Sequence, residues 1–295
     1  MTESLRIGFI GAGRVAKALA LAFAQGGERV VAVASRTRAS AEACARGISG
    51  CAVMDSAQQV VDGADLVFLA VPDDAIASIA ASLHWRAGVA VVHCSGASEL
   101  AVLETARAAG AQTGSFHPLL MFADPQVAAL ALPRSAIAVE AREPLIGVLE
   151  HLVKRLGAQS LRVPPHARAA YHAASHYGAA FLCVLLDQGM KILDANGMSG
   201  DIPRKALLSL ARGTLDALEQ AGPAHAMAGV YARGDAGTAQ RHLLALDAMN
   251  PENASLYRAL ALRSIALAEE AGRIERVTAE SLRNLVSANS VPREN

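Results

Sequence analysis

Two histidines in short polar settings are the first residues of this 295-residue chain whose chemistry can be read. His117 stands in Gly114-Ser115-Phe116-His117-Pro118-Leu119, directly after a strand-like run. His172 stands in Arg168-Ala169-Ala170-Tyr171-His172-Ala173-Ala174-Ser175-His176-Tyr177, the most polar part of an otherwise greasy segment. A side chain that titrates near neutrality can give a proton to a C=O or C=N group while hydride arrives at its carbon. His172 is the first candidate for that role and His117 the second; a packed, structural histidine is the competing reading of each. Ser95, within His93-Cys94-Ser95-Gly96-Ala97-Ser98, can bond a substrate carboxylate or a carboxamide. The plain alternative is a capping turn, with Ser98 capping a helix over 99–109. His172 and His176 share a helix face at i, i+4, a spacing that suits a metal, but no nearby carboxylate or third ligand accompanies them, so no metal is expected.

These side chains need a partner that supplies hydride, and the opening stretch is built to hold one. Ile7 to Ile10 reads as a buried strand and Arg14 to Ala24 as the helix after it, with Gly11-x-Gly13-x-x-Ala16 between them. The first glycine permits a tight turn, the second lets backbone approach a pyrophosphate, and small Ala16 lets helix pack on strand. Gly11, Ala12, Gly13, Arg14 and Val15 are therefore the expected phosphate cradle at a helix N-terminus. A second strand, Arg29 to Ala34, runs into Ser35-Arg36-Thr37-Arg38, where an acid would bind the ribose hydroxyls of NAD. Hydroxyls and guanidinium groups stand there instead. Ser35, Arg36 and Thr37 suit a 2′-phosphate, which points to NADP as cofactor. Val71 and Pro72, at the end of the apolar run Asp65 to Val71, are expected to border the same cofactor, with Pro72 also able to start a helix.

The elements that position these residues follow from the hydrophobic pattern. Short apolar runs alternate with helical segments through Ser160 to Val163; after Pro164-Pro165 only helical runs remain, at about 166–196, 203–220, 235–248, 251–271 and 278–287. The fold expected is α/β: a doubly wound Rossmann-type parallel sheet domain over residues 1–163, followed by an all-α substrate or dimerisation domain over 164–295. The segment from Ala169 to Leu186 is apolar enough to be central to the second domain or buried in a homodimer. Asp235 reads as an N-cap.

Composition narrows the partners. Lys plus Arg and Asp plus Glu are 27 each, a net charge of +0, which argues against a nucleic-acid partner. No apolar run approaches the ~20 residues that span a bilayer. The four cysteines carry no CxxC spacing, and no export signal is evident, so reduced thiols in a cytoplasmic protein are expected.

Taken together these motifs resemble a group of NADP-binding oxidoreductase-like proteins with a Rossmann domain and an all-helical C-terminal domain, related to pyrroline-5-carboxylate reductases and β-hydroxyacid dehydrogenases. The resemblance rests on Gly11-x-Gly13-x-x-Ala16, Ala70-Val71-Pro72-Asp73, His93-x-Ser95-Gly96, Gly114-Ser115-Phe116-His117-Pro118-Leu119, Tyr171-His172-Ala173-Ala174 and Ala232-Arg233-Gly234-Asp235. The chain departs from the group's pattern at several places. Leu120-Met121 stands where a Gln-Thr pair is usual, Ala179-Ala180 where Ser-Asn is frequent, and Ala228 and Val230 flank Gly229 in place of Thr-Gly-Pro. The catalytic lysine of β-hydroxyacid dehydrogenases has no counterpart near the start of the His172 helix; Lys191 lies far down it. The resemblance implies an NADP(H)-dependent oxidoreductase that transfers hydride to a small ketone or imine, acting as a homodimer. The alternatives are a non-catalytic NADP(H)-binding sensor or protein-interaction module and, behind it, a metal-dependent hydrolase built on the histidines.

Overall fold

The computed structural model describes residues 5–249 and 251–288. Strands and helices alternate as the apolar periods require: β1 (Arg6–Ile10), α1 (Arg14–Gln25), β2 (Arg29–Ala34), α2 (Arg38–Ala45), β3 (Ala52–Val53), α3 (Ala57–Gly63), β4 (Leu66–Leu69), α4 (Ile76–Ser82) and β5 (Ala90–His93). Next come α5 (Glu104–Ala108), β6 (Gln112–Pro118), α6 (Pro125–Ala131), β7 (Ala136–Ala141), α7 (Leu145–Arg155) and β8 (Gln159–Arg162). The helical run is α8 (Arg168–Gly178), α9 (Ala180–Ala195), α10 (Asp201–Ala226), α11 (Ala236–Met249), α12 (Pro251–Glu270) and α13 (Arg276–Ser287).

The strands form one sheet in the order β3-β2-β1-β4-β5-β6-β7-β8, parallel except where β6 meets β7. Strand order reverses between β1 and β4, which pair in parallel from Ile7 with Leu66 to Ile10 with Leu69. That is the switch point of a doubly wound sheet, so a cleft opens where the carboxyl ends of β1 and β4 diverge. The central strands are unbroken apolar runs because helices cover both faces. Phe9, Phe68 and Phe116 pack against Phe23 of α1, with the Phe9 and Phe68 rings stacked at 5.1 Å and Phe68 edge-on to Phe116 at 5.4 Å. Local chemistry fixes the helix ends. Ser56 caps α3 by accepting the Gln59 amide, and the Gln59 side chain returns to the Ser56 amide, a complete capping box.

The chain divides into two compact units, Met1–Phe181 and Leu182–Asn295, so that α8 belongs with the sheet although the last strand ends at Arg162. The single long helix read over 166–196 is two helices, broken at Ala179 (φ −126°, ψ −92°) directly after Gly178. The helix expected over 99–109 is a 3-10 turn over Leu100–Leu103 followed by the short α5, and Ser98 does not cap it; Glu99 occupies the cap position. In the second unit Tyr231, Ala239, Leu243, Ala261, Ile265, Ala279, Leu282 and Val286 make a core for α11, α12 and α13. Asp235 takes the capping position foreseen for it, its Oδ1 accepting the Thr238 amide at 2.9 Å. α10 is interrupted at Gly222 (φ 72°, ψ 168°) before Pro223. Helices α9 and α10 bury none of their residues, so the central position that apolarity suggested for the run ending at Leu186 is not taken up within one chain. No helix among the described residues is long and apolar enough to cross a membrane.

Candidate active site

The glycine turn after β1 takes the form its spacing demands. Gly11 has φ +97°, and a Cβ there would lie 2.3 Å from the Ala70 carbonyl oxygen, so both conformation and space require glycine. Its amide donates to the Ala34 carbonyl at 2.9 Å, which ties the ends of β1 and β2 together. Gly13 caps α1, and a Cβ there would point into open space with no atom within 4 Å. Ala12 is buried, Gly13 and Arg14 are exposed and Val15 is half-buried. Because α1 has no side-chain cap and no acid in its first turn, its leading N–H groups stay available to an anion. Ala16 is fully buried against the sheet, as close helix packing requires. These residues fit a dinucleotide pyrophosphate: an anion-seeking helix end stands over a backbone free of side chains.

At the end of β2 the two guanidinium groups have different employment. Arg38 donates to Glu42 at 3.0 Å and to Asp55 at 2.6 Å. Arg36 is exposed and pairs with no group among the described residues. The Thr37 hydroxyl donates to Ser40 Oγ at 2.7 Å, and half-buried Ser35 leads into this turn. Val71 and Pro72 follow β4 at the switch point, and Val71 Cγ1 lies 3.0 Å from where a Gly11 Cβ would be.

Further along the same sheet edge the proton-bearing residues meet. β5 pairs with β6 so that His93 lies beside Ser115. Ser95 follows β5, buried, with its hydroxyl donating to Asp73 Oδ2 at 2.7 Å and accepting the amides of Ala97 (3.2 Å) and Ser98 (3.0 Å). Its one proton is thus committed to a carboxylate that comes from the end of β4. His117, expected just after a strand, is the last residue but one of β6, and its Nδ1 is 2.6 Å from the Tyr171 hydroxyl on α8. The His117 and His172 rings meet edge to face, centroids 6.1 Å apart. Gly96 is the floor beneath them: a Cβ there would lie 2.7 Å from both His117 Cε1 and His172 Cδ2. His176 is edge-on to His172 with centroids at 4.8 Å, and its Nδ1 is 2.9 Å from the His172 carbonyl, a local bond of the helix. Among the described residues no group of three or more His, Cys, Asp or Glu side chains could hold a metal.

Electrostatics keep His117 and His93 neutral. Burial, then the neighbouring His172 and Arg168, lower the His117 pKa to about 4, against a smaller opposing pull from Asp73. His93 is wholly buried; burial first, then Arg168 and His117, bring its pKa down to about 3 against a smaller opposing effect of the Ser95 backbone. Burial also pushes the Tyr171 phenol up to about 12. A neutral imidazole therefore faces a protonated phenol over 2.6 Å, and the tautomer of His117 sets which of the two donates.

The structure sets His117, His172 and Ser95, the candidates named from the sequence, beside three residues that were not candidates, Tyr171, Asp73 and Arg168. Tyr171 adjoins His172, Asp73 ends Ala70-Val71-Pro72-Asp73, and Arg168 opens the polar turn of the helix. Arg168 is fully buried and ion-paired with Glu140 at 2.7 Å.

Comparison with known proteins agrees with this geometry at the level of the fold. Residues 1–118 match the family described as a Rossmann-like domain, and residues 135–264 match the family described as a domain of unknown function, DUF2520. Glu140, Arg168, Tyr171 and His172 thus lie in the DUF2520 match, and Gly11 to His117 in the Rossmann-like one. No curated protein sequence matches the chain. Among solved structures, a Bacteroides fragilis protein provisionally described as an NADP oxidoreductase superposes with TM-score 0.71 at 24% identity, covering 89% of this chain and 98% of its own. A reductive aminase from Aspergillus terreus in complex with NADPH and ethyl-5-oxohexanoate gives TM-score 0.60 at 17% identity, covering 96% and 92%. The 1-pyrroline-5-carboxylate reductase of Streptococcus pyogenes gives 0.61 at 14%, covering 95% and 99%. At such identities the likeness is one of fold, and the fold is one that oxidoreductases use.

Proposed function

We propose that this Rossmann-like and DUF2520 protein is an NADPH-dependent reductase that acts on a small ketone or imine. The observation that carries this reading is the Tyr171–His117 pair, with His172 at its edge, standing on the same sheet edge as the glycine turn. β1 and β6 are separated by β4 and β5, about 14 Å along that edge at roughly 4.8 Å per strand, so a dinucleotide anchored at Gly11 to Val15 can extend toward the pair. Ser35, Arg36 and Thr37 would hold the 2′-phosphate, and Val71 and Pro72 would line the passage between. When bound, a nicotinamide dinucleotide supplies the hydride. The chain supplies the proton: Tyr171 keeps its hydroxyl proton across the neutral range and gives it to the substrate oxygen or nitrogen, while His117, in the tautomer protonated at Nδ1, donates to the phenolate that forms. His172 closes the same spot from α8 as an alternative donor. Ser95 contributes through Asp73, whose carboxylate its hydroxyl holds at 2.7 Å.

The apolar faces of α9 and α10 support a homodimer. Val184, Leu185, Ile202, Leu210 and Leu215 are exposed, and an apolar groove of about 370 Å³ runs between Leu193, Ile202, Leu207 and Leu210. A cytoplasmic setting suits the four cysteines, all free thiols. The same apolar face favours a second reading, a non-catalytic NADP(H)-binding protein that docks a partner there. Consumption of NADPH decides between them. Wild-type protein should oxidise NADPH in the presence of small cyclic imines or ketones, and Tyr171→Phe and His172→Ala should lower turnover with cofactor affinity unchanged. Tight NADPH binding with no consumption across such a panel would favour the docking protein.

A further inference from the structure

Arg168 is the largest wholly buried side chain among the described residues, and it opens α8. Arginine is seldom buried, because removing its charge from water is costly unless every donor finds a partner. Here each of the three guanidinium nitrogens has an acceptor. Nε donates to Glu140 Oε2 at 2.7 Å, Nη1 to the Ser95 carbonyl at 3.2 Å, and Nη2 to Ser115 Oγ. Those partners stand on β7, on the turn after β5 and on β6, so one side chain grips three neighbouring parts of the sheet.

We propose that Arg168 is the positioning residue of this site, fixing the start of α8 against the sheet so that Tyr171 and His172 reach His117. Residues 168, 171 and 172 lie at i, i+3 and i+4 and share a helix face. Pinning the first sets both the rotation and the axial placement of the other two. The pin also reaches the floor of the site: the Ser95 carbonyl that Arg168 holds belongs to the turn that carries Gly96 beneath both histidine rings, and the Ser95 hydroxyl carries Asp73. Lysine would keep the charge and lose the fork, because an ammonium cannot present three diverging planar donors to Glu140, Ser95 and Ser115. The catalytic meaning of this placement rests on Tyr171 and His117 acting as the proton-handling pair; the placement itself does not.

The test reads His117 directly. Full-length protein labelled with 15N-histidine is compared as wild type, Arg168→Lys, Tyr171→Phe and the double variant, following the His117 ring-nitrogen shifts and titration midpoint. The groups that face this ring are Tyr171, His172 and Arg168 from α8, Asp73 from the turn after β4, and His93 from the end of β5. Lysine at 168 preserves the charge, so a change at His117 reports lost placement. The expected result is that Arg168→Lys moves the His117 Nδ1 resonance to its position in Tyr171→Phe, and that the double variant adds nothing. A His117 signal unchanged in Arg168→Lys, or shifts that add in the double variant, would overturn the proposal. Should Arg168→Lys fail to fold, Ser115→Ala removes one tie of three and should shift His117 the same way by a smaller amount; an unshifted His117 in that variant overturns the proposal equally. Coupled shifts in a protein that never oxidises NADPH would uphold the positioning role and refute the reductase reading alone.

Discussion

Arg36→Ala is the sharpest probe of cofactor choice. Its guanidinium is exposed at the carboxyl end of β2 and has no partner among the described residues, whereas Arg38 is held by Glu42 and Asp55. A charge-assisted bond to a phosphate contributes about 1.5–3 kcal/mol. At 1.4 kcal/mol per tenfold this is about 10- to 150-fold in Kd. Exposure to water and salt argues for the lower part of that range, about 10- to 30-fold at physiological ionic strength. NADH has no 2′-phosphate, so its Kd should move less than about twofold. Arg38→Ala is the control: its charge is already engaged by two carboxylates, and NADPH should weaken by no more than about threefold. Calorimetric titration of wild type and both variants with NADPH and NADH, at low and high salt, reads all of this, and the NADPH advantage should shrink as salt rises. Equal losses for the two cofactors in Arg36→Ala, or a larger NADPH loss in Arg38→Ala, would remove Arg36 from the 2′-phosphate site.

Two further perturbations test the proton-bearing edge. In Gly96→Ala the new methyl would lie 2.7 Å from carbons of His117 and His172, where ordinary contacts begin near ~3.5 Å, so each ring must retreat by about 0.8 Å. Urea denaturation should show a loss of about 1–3 kcal/mol, and turnover should fall at least about tenfold as the 2.6 Å Tyr171–His117 bond opens; wild-type values in both would mean that the floor is not close-packed. Acid should also destabilise the fold through His93. Its pKa of about 3 in the folded chain lies below the ordinary 6.5, so the unfolded chain takes up a proton first as pH falls. The stability from keeping the ring neutral is complete above pH ~6.5 and drains away toward pH ~3, about 3 kcal/mol being lost by pH ~4.5, with His117 adding in the same direction. His93→Phe should flatten the fall in urea midpoint between about pH 7 and 4.5, and an unchanged slope would show that His93 does not carry it.

Much of the first unit could be read from the chain because its signals are local. Gly11 and Gly13 sit between a strand and a helix, and only glycine tolerates the φ and the Ala70 contact at position 11. The convergence of His117 and His172 was readable for a similar reason: each closes or opens an element that must end at the same sheet edge. What escaped depends on distant partners. A serine next to a glycine looks like a cap, and the bond from Ser95 to Asp73, 22 positions away, has no local signature. The helix break at Ala179 is hidden in an alanine-rich run where propensity favours continuation, with only Gly178 to mark it. Arg168 resembled a solvated residue at a helix start because arginine usually is one; acceptors on β6, β7 and the turn after β5 keep it inside.

Burying an arginine is a poor route to stability, and that separates the two things Arg168 does. Glu140 is 11% exposed in the pair and Arg168 is 0% exposed, so both charges have been stripped of most of their water. Removing one partner leaves the other uncompensated: Glu140→Leu should cost about 3–5 kcal/mol. Removing both charges and filling their volume, as in Glu140→Leu with Arg168→Met, also removes the desolvation penalty, and such exchanges are often neutral or stabilising. The double variant should therefore unfold within about 2 kcal/mol of wild type, the residual loss coming from the Ser115 hydroxyl and Ser95 carbonyl left without their donor. Its His117 ring should nevertheless match Tyr171→Phe, since an apolar side chain gives α8 no directional hold on the sheet. A double variant that recovers both stability and the wild-type His117 signal would show that packing alone seats the helix, and that the ion pair is an ornament of the fold.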